Sequence, residues 1–314
     1  MASAARGVAY LDQVRAQVID GDSIDWRKYM NPQERERIIP AELLAEKGKA
    51  RLLVGPDQEE GLTLPWEKVK DKVLIRPGKL CVWAGWTHHG KTQMVKQLML
   101  HGIRNSERAL IASMEEEVVD VWADLAATAC GTQEPSPKNI DRFIAFIRGN
   151  LWLYDQQGMV DAKKMLAVIR YAAEELKVTQ AVIDSLMMLA MSRDDYEAQA
   201  DFVGELKAVA KDTGVTVHLV AHMRKRDGKA GDEAPGTTHD IAGGHEIASK
   251  ADYVFMPWRD KKPGAVPPCV LKVDKQRGRK NWIGTFGLNF HSGARQFIED
   301  VHPMKFWDEE PVDF

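Results

Sequence analysis

The chain has 314 residues, with 43 Lys and Arg against 46 Asp and Glu for a formal net charge of −3, and 44% of it is hydrophobic. That balance excludes a disordered or low-complexity chain and a protein coated in positive charge, so any contact with nucleic acid has to come from a local basic patch. The longest apolar runs, such as residues 186–191, fall far short of the about 20 residues that span a bilayer, and no membrane partner is expected.

Residues 1–61 read as an N-terminal helical arm. Helical stretches at 10–18, 32–39 and 40–53 are broken by Gly21-Asp22-Ser23 and closed by Gly55-Pro56-Asp57. Asn31-Pro32-Gln33-Glu34 carries an N-cap, a proline at the first helical position and an early acid. Apolar residues are too sparse to enclose a core, so the arm is expected to pack on something larger, a neighbouring subunit being one candidate. No apolar leader is visible at the N-terminus. Cys81, Cys130 and Cys269 form no CxxC pair and no zinc spacing, the pattern of reduced thiols in a cytoplasmic setting.

From residue 62 to 300 the pattern is α/β. Apolar runs at 80–85, 109–114, 151–154, 181–185, 215–221 and 253–257 alternate with helical stretches, among them 93–104, 161–176 and 196–213. The stretch at 161–176 puts Ala162, Met165, Leu166, Ile169, Ala173 and Leu176 on one face. Fully apolar strands alternating with helices predict a mostly parallel twisted sheet covered on both faces. The runs at 270–273 and 282–290 follow without helices, which predicts an antiparallel C-terminal extension. Residues 301–314 read as an acidic tail.

The strongest local signal is Gly85-Trp86-Thr87-His88-His89-Gly90-Lys91-Thr92, which fits G-x-x-x-x-G-K-[ST], followed by Gln93. An apolar strand runs into it and an amphipathic stretch runs out. In that arrangement backbone N–H groups wrap phosphates at a helix N-terminus. Lys91 then reaches the β- and γ-phosphates of ATP or another NTP, and the Thr92 hydroxyl holds Mg²⁺. The bulky residues between the glycines are tolerable if they point outward. His88 and His89 are adjacent rather than convergent, and no Cys or acid lies nearby, so zinc is not expected.

Phosphoryl transfer also needs a carboxylate for Mg²⁺ and a group to position water. Asp184 ends the apolar run Val182-Ile183-Asp184-Ser185 and suits the first role; Glu115 or Glu116, after Ala109–Met114 in sequence, suits the second. His222 ends a further run and is a candidate γ-phosphate sensor. Each of these residues alone also has a plainer reading: Asp184 as a helix cap or strand end, the glutamates as an acidic turn, and His222 as a structural histidine.

Together the motifs resemble the RecA-like hexameric replicative helicases, the DnaB-like, phage and twinkle-type superfamily four. The resemblance rests on Leu64-Pro65-Trp66, Gly85 to Thr92, Ser113-Met114-Glu115-Glu116, Val182-Ile183-Asp184-Ser185, Ala221-His222, Asp240-Ile241-Ala242-Gly243-Gly244, Lys250-Ala251-Asp252 and Lys275-Gln276-Arg277. It implies a RecA-like P-loop NTPase fold and a ring, hexameric in form, that translocates on single-stranded DNA and unwinds duplex at the expense of ATP. Glu115 would activate the attacking water, with Glu116 the less favoured register. Asp184 would serve Mg²⁺, and His222 would link the γ-phosphate to DNA. Lys275 and Arg277 would reach into the neighbouring subunit's site, Arg277 as an arginine finger.

The resemblance also implies two DNA-gripping loops. One holds Arg224, Lys225, Arg226 and Lys229; the other, residues 239–245, offers Gly243, Gly244 and His245. Ala242 stands where many relatives carry an arginine. No aromatic stacking platform is visible in either loop. Residues 1–61 are too short for a primase, so a primase, polymerase or single-strand-binding protein would act in trans. Two other readings remain at this point: a RecA-like recombinase or helicase loader that does not unwind, and a non-motor ATP-sensing oligomer.

Overall fold

The computed structural model describes residues 18–30, 40–53, 59–156, 159–189, 196–224, 234–242, 245–262, 268–278 and 281–307. Most of the stretch at 10–18, all of that at 32–39, and residues 308–314 of the acidic tail lie outside them.

In chain order the elements are α1 (Arg27–Met30), α2 (Ala45–Leu53), β1 (Leu62–Thr63), α3 (Glu67–Lys70), β2 (Leu74–Ile75) and β3 (Leu80–Gly85). Then come α4 (Lys91–Arg104), β4 (Ala109–Ser113), α5 (Val118–Cys130), α6 (Pro137–Ile147), β5 (Leu151–Leu153), α7 (Ala162–Glu174) and β6 (Gln180–Asp184). α8 (Tyr196–Thr213), β7 (Thr216–His222), α9 (His245–Lys250), β8 (Tyr253–Arg259), β9 (Cys269–Gln276), β10 (Gly284–His291) and β11 (Gln296–Ile298) follow among the described residues.

Nine strands form one sheet in the order β11-β10-β9-β8-β3-β7-β6-β4-β5. The six from β8 to β5 are parallel, and β9, β10 and β11 continue antiparallel, as the sequence predicted. β7 is inserted between β3 and β6, so the first strand's end and the Asp184 strand's end stand two strands apart. Ligands in such sheets gather outside the carboxyl ends of the strands, where the order of connections reverses.

Alternation along the buried strands feeds two cores. Cys81, Trp83, Ile111, Val182, Val220 and Phe255 face Met94, Leu98 and Met99 of α4. Leu80, Val82, Ala84, Ile183, Val217 and Leu219 face Met165, Leu166 and Ile169 of α7 and Phe202, Leu206 and Val209 of α8. Both faces are buried, which is why these strands read as continuous apolar runs and not as alternating ones.

The arm segment around α1 docks on its own chain, whereas Leu43, Leu52 and Leu53 in the segment that carries α2 are exposed. Trp26 and Tyr29 meet the ring of Tyr171 on α7 at centroid distances of 5.8 and 5.4 Å. Tyr29 donates from its hydroxyl to Glu175 (2.7 Å), and Arg170 donates to the Tyr29 carbonyl (3.1 Å). At the other end, residues 301–307 fold back, burying Phe306 and placing Trp307 beside Phe146. No helix among the described residues is long and apolar enough to cross a membrane.

Candidate active site

The glycine loop joins β3 to α4. β3 is buried along its whole length, which fixes the position of its last residue, Gly85. The backbone then turns through His88 at φ 64° and Gly90 at φ 87°. Glycine is needed at 90 both for that dihedral and because a Cβ there would run into the ring of Phe297. α4 begins at Lys91, so the loop stands at the positive end of a 14-residue helix.

Thr87 and His88 are exposed, but Trp86 and His89 do not point outward as the sequence suggested. Trp86 is buried in the apolar cluster that holds Met114, Leu186 and Met223, and its indole N–H donates to the Ala234 carbonyl at 3.2 Å. Burying an indole recovers more free energy than exposing it, and its one polar atom finds an acceptor. His89 accepts the Arg259 N–H at Nδ1 (3.0 Å).

Four strand ends meet beside the loop. Gly85 is paired with His222, and Ser113 with Asp184, while β6 and β7 are themselves paired. Thr92 donates from Oγ1 to Asp184 Oδ2 at 2.5 Å. The Glu115 carboxylate accepts from Ser185 Oγ (2.5 Å) and lies 3.5 Å from His222 Nε2. Lys91, buried, donates from Nζ to the Trp86 carbonyl (2.9 Å). Gln93 turns away from the loop and donates to Thr128 Oγ1 (2.8 Å).

The electrostatics separate the two carboxylates. The hydrogen bond with His222, followed by that from Ser185, holds Glu115 down at about 2 against the opposing effect of burial. Glu115 is therefore an ionised acceptor at any working pH. Burial pushes Asp184 up, and the neighbouring Glu115 and Glu116 add to this, while Thr92 opposes it. Burial pushes Lys91 down to about 8 despite the attraction of Asp184 and Glu115. Asp184 and Lys91 are thus both drawn toward neutrality in the ligand-free chain.

Glu116 is engaged elsewhere. Lys96 on α4, almost fully buried, pairs with Glu116 Oε2 (2.5 Å) and Asp124 Oδ2 (3.2 Å), and Arg295 joins Asp124 at 2.8 Å. This cluster behind the loop holds Glu116 on the α4–α5 side. Sequence reasoning missed it, because Lys96 reads there as an ordinary polar position of an amphipathic helix.

The residues fit a magnesium ion. Thr92 and Asp184 supply hard oxygen donors, the chemistry Mg²⁺ selects. Ser113, opposite Asp184 and of the same strand parity as Ile111, turns toward α4; its Oγ is buried with no hydrogen-bond partner. A buried hydroxyl left so is unfavourable unless a further polar group fills the space beside it.

Lys275 and Arg277 lie far from their own glycine loop. The Arg277 N–H donates to the Asp252 carbonyl (2.9 Å) and the Asp252 N–H to that of Leu80 (2.8 Å), which places Arg277 at the start of β3. The loop follows the end of that six-residue strand, about 17 to 20 Å away at about 3.3 Å per residue. Lys275 donates from Nζ to the carbonyls of Ala248 (2.7 Å) and Ser249 (2.8 Å) on α9, and Arg277 donates to that of Ser249 (3.1 Å). Burial, with repulsion from Arg277 and Lys207, brings Lys275 down to about 8.

The two loops expected to grip DNA are joined by backbone. Met223 bridges to Ile241; the Arg224 N–H donates to the Asp240 carbonyl (2.7 Å) and the Ala242 N–H to that of His222 (2.8 Å). His239 and His245 stack at 5.3 Å. Lys225, Arg226, Lys229, Gly243 and Gly244 lie outside the described residues.

A family model described as "ATPase: KaiC" matches residues 73–280, more than half of the chain. The chain belongs to this KaiC ATPase family. The matched span of this KaiC-family ATPase runs from just before β2 to just past Arg277 and so holds the glycine loop, Glu115, Asp184 and His222. Two solved structures share its RecA-like fold. One is described as the ATPase domain of G40P, with 15% identity over 85% of this chain and all of that one, at a TM-score of 0.68. The other is a DnaB-like replicative helicase studied with primase, with 16% identity over 83% of this chain and 68% of that one, at a TM-score of 0.69. No curated protein matches the chain.

Proposed function

We propose that this KaiC-family ATPase is the motor of a ring-forming DNA helicase, hydrolysing ATP in sites shared by adjacent copies and translocating on single-stranded DNA. The observation that carries the proposal is the placement of Glu115. Its carboxylate sits between Ser185, beside Asp184, and His222, whose backbone is joined to the loop at 240–242.

In this reading the loop amides, Lys91 and Thr92 bind the triphosphate. Thr92 and Asp184 would hold Mg²⁺, which supplies charge neutralisation at the phosphate oxygens when bound. Glu115, held at about 2, is too weak a base to store a proton. It acts as an acceptor that orients the attacking water. The water oxygen bonds to the γ-phosphorus as the bond to the β–γ bridging oxygen breaks; ADP leaves with the electron pair and the proton departs with phosphate. Arg277 cannot reach its own loop, and in this reading, as in the helicases the motifs resemble, it serves a neighbour's site. Head-to-tail contacts of that kind close into a ring when the rotation from copy to copy closes, and the ring is the form this reading takes.

His222 then carries the nucleotide state to the DNA loops through the Ala242–His222 and Arg224–Asp240 hydrogen bonds. Lys275, holding the carboxyl end of α9, ties the same segment to the edge that meets the neighbour. Strand displacement on a forked duplex, measured beside ATP hydrolysis with and without single-stranded DNA, tests the proposal. A helicase displaces the strand and is stimulated by DNA. Stimulation without displacement marks a recombinase or loader, and no stimulation marks an ATP-sensing oligomer.

A further inference from the structure

Tyr196 opens α8 with 40% of its surface accessible, one of the few exposed aromatic side chains among the described residues. The guanidinium carbon of Arg224 lies 4.4 Å from the centroid of its ring. The two residues are 28 positions apart in sequence and meet for a topological reason. β6 ends at the ligand edge of the sheet, α8 starts there and runs back to β7, and β7 returns to the same edge, ending at His222 two residues before Arg224. The Arg224 backbone is fixed by its hydrogen bond to Asp240, so its side chain projects from the point where the two loops join.

An exposed phenol ring under an arginine is a surface suited to one chemistry. The ring stacks on a nucleobase of any identity, and the guanidinium carries charge for the adjacent phosphodiester or stacks in turn. Nothing in the stack reads base edges, which suits a motor that has to pass over every sequence. We infer that Tyr196 and Arg224 form a base-stacking platform for single-stranded DNA at the mouth of the two loops. The inference rests on the reading that this edge meets DNA, and it supplies the aromatic contact that neither loop's sequence contains.

The test compares binding of the full-length protein, with a non-hydrolysable ATP analogue, to labelled oligo(dT) and to an abasic strand of equal length, over a range of salt. Tyr196→Ala is expected to weaken oligo(dT) binding about 5- to 100-fold, the range of one lost base stack, and Tyr196→Phe to stay within about twofold. The wild type should lose a similar factor on the abasic strand, whereas Tyr196→Ala should bind both strands alike. Arg224→Ala should lower the slope of log K against log salt by about 0.7, and Tyr196→Ala should leave that slope in place. If the wild type binds oligo(dT) and Tyr196→Ala binds it equally well, the platform is overturned while the DNA reading stands. If the wild type binds neither strand, the DNA reading falls and the platform with it. Should the alanine variant fail to fold, the wild type alone decides: equal affinity for abasic and oligo(dT) strands overturns the platform.

Discussion

Replacing Lys91 by methionine should make the nucleotide-free protein more stable while removing its response to nucleotide. Burial lowers the Lys91 ammonium from 10.5 to about 8. A tenfold change in proton affinity is worth about 1.4 kcal/mol, so at neutral pH, with the group charged in both the folded and unfolded states, folding bears a net cost of about 3 kcal/mol, burial outweighing the attraction of Asp184 and Glu115. The lost hydrogen bond to the Trp86 carbonyl, 2.9 Å long, offsets about 1 kcal/mol of the gain. The net, about 2 kcal/mol, raises the melting temperature by about 4 to 8 °C in a domain of this size. The sign with pH follows from the unfolded state holding the proton more tightly. Between about 8 and 10.5 the unfolded chain binds more protons, so wild-type stability rises with pH across that window and the advantage of Lys91→Met disappears above it. Thermal unfolding at pH 7 and at pH 10.5, with and without a non-hydrolysable ATP analogue, reads all of this. A folded Lys91→Met protein that melts below the wild type at pH 7 without nucleotide would refute the reasoning.

Three further outcomes follow from the same geometry. Glu115→Gln should lower ATP turnover by about 10²- to 10⁴-fold with little change in nucleotide affinity, whereas Glu116→Gln should keep measurable turnover and lose stability instead, because it leaves buried Lys96 short of a partner; single-turnover hydrolysis and denaturant unfolding separate the two. The affinity for ATP should be flat below about pH 8 and weaken toward tenfold per pH unit above it, as Lys91 loses its proton in the free enzyme; titration calorimetry from pH 6.5 to 9.5 reads the break. Lys275→Met should uncouple DNA from hydrolysis, lowering DNA stimulation more than basal turnover, because it frees the carboxyl end of α9; equal loss of both would assign Lys275 to the neighbouring ATP site instead.

The sheet and the ends of its strands could be read from sequence because each core strand is a contiguous apolar run, and the residue after such a run is by geometry at the ligand edge. Gly85, Ser113 and Asp184 fall there. What sequence could not supply was direction. By residue type Glu115 and Glu116 are equivalent, and only the resemblance favoured Glu115; the buried ammonium of Lys96, twenty residues earlier, draws Glu116 away and leaves Glu115 beside His222. The inward turn of Trp86 depends on an acceptor at Ala234, and the meeting of Tyr196 with Arg224 depends on how α8 returns to β7. β11, three residues long, is too short to carry a pattern, yet its Phe297 closes against Gly90. The arm's docking on α7 was open for a similar reason, since Trp26 and Tyr29 show an apolar face without showing whose.

Subunit mixing tests the shared site most directly. Lys91→Ala lacks the loop cation and Arg277→Ala lacks the cation proposed to serve the neighbour, so each alone should be nearly inactive, an arginine finger being worth about 10³- to 10⁵-fold in rate. In an equal mixture, about a quarter of the seams join an intact loop to an intact arginine, and turnover should recover toward about a quarter of the wild-type rate. Full turnover by Arg277→Ala alone, or a mixture as inactive as its two components, would contradict the account.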